Sequence, residues 1–162
     1  MIQRKQTIYL LLAFICNLLL LFFPLFELEV TSSFGSKQSF SFGATGIEGG
    51  DDAAFYPVYI LYMIMAILTA LGIALFKNRA RQLLVCRLNI IFHMLITVGL
   101  FTVYYAGKGV VMDRLQEKGF SNVEVYTGIG FYLVIAAIPF ILLAIRGIRA
   151  DEALLKSLDR LR

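Results

Sequence analysis

The sequence predicts an all-α membrane protein built as an antiparallel bundle of four transmembrane helices. Hydrophobic residues make up 59% of the 162-residue chain and charged residues 16%, whereas soluble domains are about 45–50% apolar and about 25% charged. The apolar residues fall in four long runs, each close to the roughly 20 residues that a helix needs to cross a bilayer. The links between the runs are short, so neighbouring helices are expected to pack antiparallel.

These runs define a single membrane domain with four spans, two outer connections and a tail. The spans are predicted at 7–26, 54–76, 83–105 and 126–145, the outer connections at 27–53 and 106–125, and the tail at 146–162.

The distribution of charge predicts the orientation of the bundle. Eleven of the fifteen Lys and Arg residues lie in the N-terminal tail, the second connection with the start of the third span, and the C-terminal tail. Eight of the eleven acidic residues lie in the two outer connections. Cytoplasmic loops carry the excess of Lys and Arg in membrane proteins, so both termini are expected in the cytoplasm. The basic residues form no single patch, which excludes nucleic acid as a partner.

The residue pattern of the first outer connection predicts a β-hairpin. Polar and apolar residues alternate from Leu28 to Phe34 and again over 39–42, on the two sides of a turn containing Gly35. An isolated hairpin is marginally stable in water, so it is expected to lie on the bundle or on another protein. An acidic return containing Asp51 and Asp52 follows.

The spacing of apolar and charged residues in the second outer connection predicts a short amphipathic helix that extends the third span and ends at Gly119. Together the two connections predict a small extracytoplasmic cap. Two roles for this cap remain open, since it either meets a partner or covers the helix ends.

A polar stripe is predicted on the third span, where Asn89, His93 and Thr97 are spaced four residues apart. Polar groups inside a membrane are functional candidates, but the same residue types also join helices by hydrogen bonds. A ligand or proton role and a packing role are both open. Asn17 of the first span is a candidate contact of this stripe.

The residue pattern of the tail predicts a cytoplasmic amphipathic helix that continues out of the fourth span. Its charged residues are the candidate docking face: Arg149, Asp151, Glu152, Asp159, Arg160 and Arg162. Such a helix lies on the anionic inner leaflet, pairs with a partner or a second copy, or simply ends the protein as a solvated helix.

No catalytic, cofactor-binding or metal-binding residues are predicted. Cys16 and Cys86 both lie in apolar runs without a C-x-x-C pair. The sole histidine, His93, lies in a span while every carboxylate lies outside the spans, so no nucleophile-and-base arrangement is expected. The chain is therefore predicted not to be an enzyme and to need no cofactor.

Three segments resemble a family of bacterial four-helix inner-membrane proteins known as domain of unknown function 4293. They are Met-Ile-Gln-Arg at 1–4 leading to Tyr-Leu-Leu-Leu at 9–12, Leu-Phe-Lys-Asn-Arg at 75–79, and the charged segment at 146–162. The resemblance implies a location in the inner membrane of a Gram-negative bacterium. It implies no activity and therefore no site residues.

Two functional hypotheses follow from these features. In the first, the protein is a non-enzymatic accessory or structural subunit that docks a larger envelope complex through its cap or its tail. Its partners are then the lipid bilayer and either another protein or further copies of the chain. In the second, it is a small lipid-, quinone- or ion-handling protein that uses the polar stripe.

Overall fold

The computed structural model describes residues 3–32, 36–49, 54–55, 57–117 and 120–159. Several sequence predictions lie outside this part of the chain. They are the hairpin turn at Gly35, the acidic return at Asp51 and Asp52, the helix end at Gly119, and Arg160 and Arg162 of the tail.

Helices make up most of the described chain. They are α1 (Gln3–Leu19), α2 (Tyr59–Ala74), α3 (Arg79–Glu117) and α4 (Ile129–Asp159), with a 3₁₀ turn (Leu75–Lys77) between α2 and α3. Each helix packs on its neighbour in sequence, and α1 also packs on α4. Gln82 near the start of α3 bonds to Gly72 near the end of α2, and Gln6 near the start of α1 bonds to Asp151 late in α4, so adjacent helices run antiparallel.

Among the described residues, three helical stretches are long and apolar enough to cross a membrane: Tyr59–Lys77, Arg79–Gly107 and Ile129–Leu154. The first helix contributes a shorter apolar stretch, Gln6–Leu19. The predicted first span, 7–26, therefore corresponds to a helix that ends earlier than expected. Pro24 explains this, because a proline lacks an N–H group and disfavours helical geometry in the residue before it.

A five-stranded antiparallel sheet covers the end of the bundle opposite the start of α1 and the end of α4. Its strands are β1 (Phe26–Ser32), β2 (Lys37–Gly43), β3 (Gly46–Glu48), β4 (Ala54–Phe55) and β5 (Phe120–Thr127), in the spatial order β4-β3-β2-β1-β5. The predicted hairpin is present as β1 and β2, with Leu28 opposite Phe40. The all-α description is too narrow, because this hairpin is the centre of a larger sheet.

The second outer connection differs from its prediction. Helix α3 does extend beyond the third span, to Glu117, but the chain then returns as β5 along the free edge of β1. Val123 lies opposite Val30, and Val125 lies opposite Leu28. The first residues of the predicted fourth span belong to this strand, so α4 begins at Ile129. Likewise Ala54 and Phe55 form β4, so α2 begins at Tyr59 instead of 54.

Aromatic packing joins the sheet to the bundle. The ring of Phe26 in β1 lies 6.4 Å from that of Phe42 in β2, 6.1 Å from Tyr104 in α3 and 5.8 Å from Phe131 in α4. Aromatic pairs at such separations add to the stabilisation that burial provides. The sheet is therefore a fixed part of the fold.

Two glycines allow the start of α4 to approach the turn after α1. The Gly128 N–H donates to Leu25 O and the Gly130 N–H donates to Pro24 O, both at 2.8 Å. These bonds satisfy N–H groups at a helix start, which have no partner within the helix. A Cβ on Gly128 would lie 2.3 Å from Pro24 O, and one on Gly130 2.8 Å from it, so only glycine fits.

Candidate functional site

The predicted polar stripe points into the bundle. Asn89 and His93 are completely buried, and Thr97 is half-buried. The Thr97 hydroxyl donates to the backbone carbonyl of His93 at 2.8 Å, so this bond stays within α3. Of the three predicted residues, Asn89 and His93 reach other helices.

Thr69 of α2 lies at the centre of the contacts between helices. Its hydroxyl oxygen accepts hydrogen bonds from Asn17 Nδ2 at 3.0 Å and Asn89 Nδ2 at 2.9 Å, and donates to Met65 O at 2.7 Å. One hydroxyl thus connects α1, α2 and α3. We call Asn17, Thr69, Asn89 and His93 the central polar cluster.

His93 adds a second link between α3 and α1. Its Nδ1 lies 2.9 Å from the backbone carbonyl of Asn89, and its Nε2 lies 3.1 Å from Asn17 Oδ1. A carbonyl oxygen only accepts, so Nδ1 carries a proton. A neutral ring then has an accepting Nε2, which faces the Asn17 side chain.

Two arrangements of protons satisfy the bonds of His93. In one, the imidazole is doubly protonated and Nε2 donates to Asn17 Oδ1. In the other the ring is neutral, the Asn17 amide is turned over so that its NH₂ group donates to Nε2, and the Thr69 hydroxyl donates to Asn17 Oδ1 in place of Met65 O. The oxygen and nitrogen of an amide are distinguished by such networks. The second arrangement places no charge in the bundle, where an unpaired charge is costly.

Two buried polar atoms have no hydrogen-bond partner among the described residues, namely Asn89 Oδ1 and the Tyr62 hydroxyl. Leaving such a group unsatisfied costs about 1–3 kcal/mol. Asn89 Oδ1 belongs to the central polar cluster, so a buried water that donates to it fits the chemistry of the site.

The central polar cluster can join helices, but it offers little access to a ligand. All four side chains are at most 1% exposed, and both ring nitrogens of His93 already have partners. Within the described ranges, no group of three or more His, Cys, Asp or Glu residues is placed to hold a metal ion. Cys86 is buried and Cys16 is half-buried, both as free thiols.

Sequence reasoning missed Thr69 because threonine is common in apolar helices and lies among hydrophobic residues there. A signal existed in its spacing, since the buried face of α2 is Tyr62, Met65, Ala66, Thr69 and Gly72. These positions follow the repeat of three and four residues that marks one face of a helix.

The candidate docking tail is partly integrated into the bundle. Helix α4 continues without a break from the fourth span to Asp159. Asp151 is buried, and its Oδ2 accepts a 2.6 Å hydrogen bond from Gln6 Nε2. Arg149 is exposed and Glu152 is half-buried. Asp151 therefore belongs to an internal contact, which leaves Arg149 as the exposed member of the face in this stretch.

A groove of about 470 Å³ lies at the end of the bundle where α1 begins, between α1 and the turn from α2 to α3. Its polar lining includes Gln6, Arg79 and Gln82, and its apolar lining is Ile8, Leu11 and Phe76. No pattern within one segment of the sequence singles out this place, because the groove needs residues from three elements.

Comparison with known proteins finds a matching family model and no match among curated proteins. The family model described as a domain of unknown function (DUF4293) matches residues 2–161, nearly the whole chain. The chain therefore belongs to the DUF4293 family.

Proposed function

We propose that this protein is a non-enzymatic accessory or structural subunit of the bacterial inner membrane, with both termini in the cytoplasm. It crosses the bilayer with four helices and presents its sheet to a basic surface of another envelope protein. The observation that carries the docking role is the outward face of the sheet, where acidic side chains lie side by side.

The distribution of polar and apolar residues on α3 supports insertion into a membrane. The helix buries Gln82, Asn89 and His93, while Leu95 and Val98 are 65% and 64% exposed. A soluble helix turns its apolar face inward, and here large aliphatic side chains face outward. Lipid is the surrounding in which this arrangement is favourable.

Four carboxylates share the outward face of the sheet. Glu29 lies directly opposite Glu124 on β5, and Glu27 lies opposite Ser41, which in turn lies opposite Glu48 on β3. All four glutamates are exposed. Like charges placed opposite one another across strands destabilise a sheet, so fold stability does not account for the pair. A cationic partner surface compensates for it.

The alternative function, lipid, quinone or ion handling at the polar stripe, has less support. The central polar cluster is enclosed and its hydrogen bonds join α1, α2 and α3. This geometry favours the packing role that the same residues also predicted. Asn89 Oδ1 has no hydrogen-bond partner among the described residues, and this feature favours a bound water or ion there.

The docking role is tested by expressing the protein at native level with a C-terminal tag and extracting it in mild detergent. Native electrophoresis gives the size of the complex, and mass spectrometry identifies what co-purifies. The Glu29→Gln, Glu124→Gln double variant should lose the partner. Asp113→Asn is the matched control, because Asp113 is also an exposed acid but lies on α3 instead of the sheet.

Two results would contradict this role. One is equal recovery of the partner by wild type and double variant, and the other is an equal loss in the Asp113→Asn control. If only a homo-oligomer is recovered, the partner is a second copy of the chain and not another envelope protein. Membrane insertion is tested separately, by resistance of the protein to alkaline extraction from membranes.

A further inference from the structure

We propose that the groove between α1 and the α2–α3 turn binds an anionic phospholipid. The phosphate lies at Arg79 and the amide groups of Gln6 and Gln82, and an acyl chain lies along Ile8 and Leu11. This inference rests on the proposed membrane insertion, but it is independent of docking by the sheet.

The polar part of the groove offers hydrogen-bond donors and one cation. Gln6 and Gln82 are only 5% and 4% exposed, and both line the groove. Gln6 Nε2 donates to Asp151 Oδ2 at 2.6 Å, and Gln82 Nε2 donates to Gly72 O at 2.9 Å. Each amide nitrogen carries two hydrogens, so each retains one for a ligand while the first bond fixes its position.

Arg79 is the charged residue of the groove lining, and its guanidinium suits two-point binding of a phosphate. Lys77 lies near the mouth, with its ammonium 5.9 Å from the centre of the Phe76 ring. Asp151, the nearby acid, accepts from Gln6 and is not part of the lining. The groove therefore favours a negative headgroup.

The apolar part of the groove distinguishes a lipid from free phosphate. Ile8, Leu11 and Phe76 are each about half exposed, and inorganic phosphate would leave these side chains uncovered. Ile8 and Leu11 lie on one face of α1, one turn apart, and further than Gln6 from the start of the helix. The headgroup of a phospholipid fits the polar lining of the groove, and its acyl chain fits the apolar lining.

The level of the groove in the proposed membrane agrees with binding of an anionic phospholipid. Arg79 begins a stretch that is long and apolar enough to span the bilayer, Arg79–Gly107, so the groove lies at the level of one membrane surface. The excess of Lys and Arg predicts that this surface is cytoplasmic. Basic pockets between helices on that side are suited to anionic headgroups.

The test is native mass spectrometry of the detergent-solubilised protein, titrated with phosphatidylglycerol or with phosphatidylcholine. Wild type should retain phosphatidylglycerol in preference to phosphatidylcholine, and excess inorganic phosphate should not displace it. Arg79→Gln should weaken phosphatidylglycerol binding about fivefold, the factor expected for one basic residue at an anionic surface. Arg81→Gln is the matched control, because Arg81 is exposed and lies outside the lining.

A second pair of variants probes the apolar part. Leu11→Trp fills the groove and should reduce binding of both lipids, whereas Leu12→Trp, outside the lining, should not. Equal retention of the two lipids by wild type, or equal effects of Arg79→Gln and Arg81→Gln, would overturn the proposal. Displacement by inorganic phosphate would also overturn it, by assigning the site to a free anion. Failure of membrane insertion itself would appear in the alkaline extraction and is distinguishable from each of these results.

Discussion

The Gln6 amide nitrogen donates a 2.6 Å hydrogen bond to the Asp151 carboxylate, and both side chains are buried. This bond joins the first turns of α1 to α4 beyond the predicted end of the fourth span. Gly147, one turn before Asp151, leaves room for it, because a Cβ there would lie 2.7 Å from Gln6 Cγ. The start of the predicted tail is therefore part of the bundle.

Asp151→Leu should lower the free energy of unfolding by about 1–3 kcal/mol, because the Gln6 amide then loses its acceptor in a buried place. Adding Gln6→Leu should recover part of this loss, since no donor is left unsatisfied. Arg149→Leu, at an exposed position of the same helix, is the control and should change stability by less than about 0.5 kcal/mol. Unfolding in mixed detergent micelles measures these three variants and the single Gln6→Leu variant. Simple additivity of the two leucine variants would contradict a direct bond.

Thr69→Val should destabilise the bundle by about 1–2 kcal/mol, within the range measured for hydrogen bonds between membrane helices. Valine has the shape of threonine but no oxygen, so the amides of Asn17 and Asn89 both lose their hydrogen-bond partner on α2. Thr69→Ser keeps the hydroxyl and should retain most of the stability. If the serine variant were as unstable as the valine variant, packing of the methyl group would explain the loss instead.

His93 should be neutral at pH 7 with its proton on Nδ1, because both hydrogen-bond partners of the ring are neutral. It is the sole histidine of the chain, so ¹⁵N-labelled histidine gives one pair of ring signals without assignment. The nitrogen chemical shifts in a lipid bilayer report the tautomer directly. A doubly protonated ring would select the charged arrangement, and a proton on Nε2 alone would contradict both.

Gly130→Ala should lower the unfolding temperature, although alanine normally favours a helix over glycine by about 1 kcal/mol. The added Cβ would lie 2.8 Å from the carbonyl oxygens of Phe23 and Pro24. Gly99→Ala is the matched control, since a Cβ on this α3 glycine meets no atom within 4 Å. The two variants should therefore change the unfolding temperature in opposite directions. A stabilising effect at both positions would show that the turn and α4 are not in close contact.

Tyr126 should titrate above its ordinary value, because its hydroxyl hydrogen-bonds to Glu124 and the negative charges of Glu124 and Glu29 raise the pKa of the phenol. Glu124→Gln should return the pKa toward about 10. A pKa raised by folding gives stabilisation that is present below the ordinary pKa and lost as the pH rises through the raised value. Titration of ¹³C-labelled tyrosine measures the shift. Glu48→Gln is the control and should leave Tyr126 unchanged.

Much of the fold follows from local sequence. The long apolar runs predict the three helices that can span a membrane, and alternation around Gly35 predicts the pairing of β1 with β2. The extent of α1 and the strand β5 were not predicted. Pro24 limits α1 from within an otherwise apolar run, and the alternation of Val123 and Val125 is too short to outweigh the adjoining helical patterns.

The candidate site was likewise predictable from the sequence only in part. A spacing of four residues places Asn89 and His93 on one face of a helix, and this is decided by helix geometry alone. Their partners Asn17 and Thr69 come from other helices, and only packing brings them together. The groove at Arg79 likewise requires three elements to meet.

The sequence by itself determined the long apolar helices, the antiparallel order of helices, the charge asymmetry and the family. These properties depend on composition and on periodicity within single segments. The tertiary structure decided which polar groups meet, which strand completes the sheet, and that Asp151 is an internal residue. Such contacts depend on the rotation and depth at which one helix packs on another, and a spacing within one segment fixes neither.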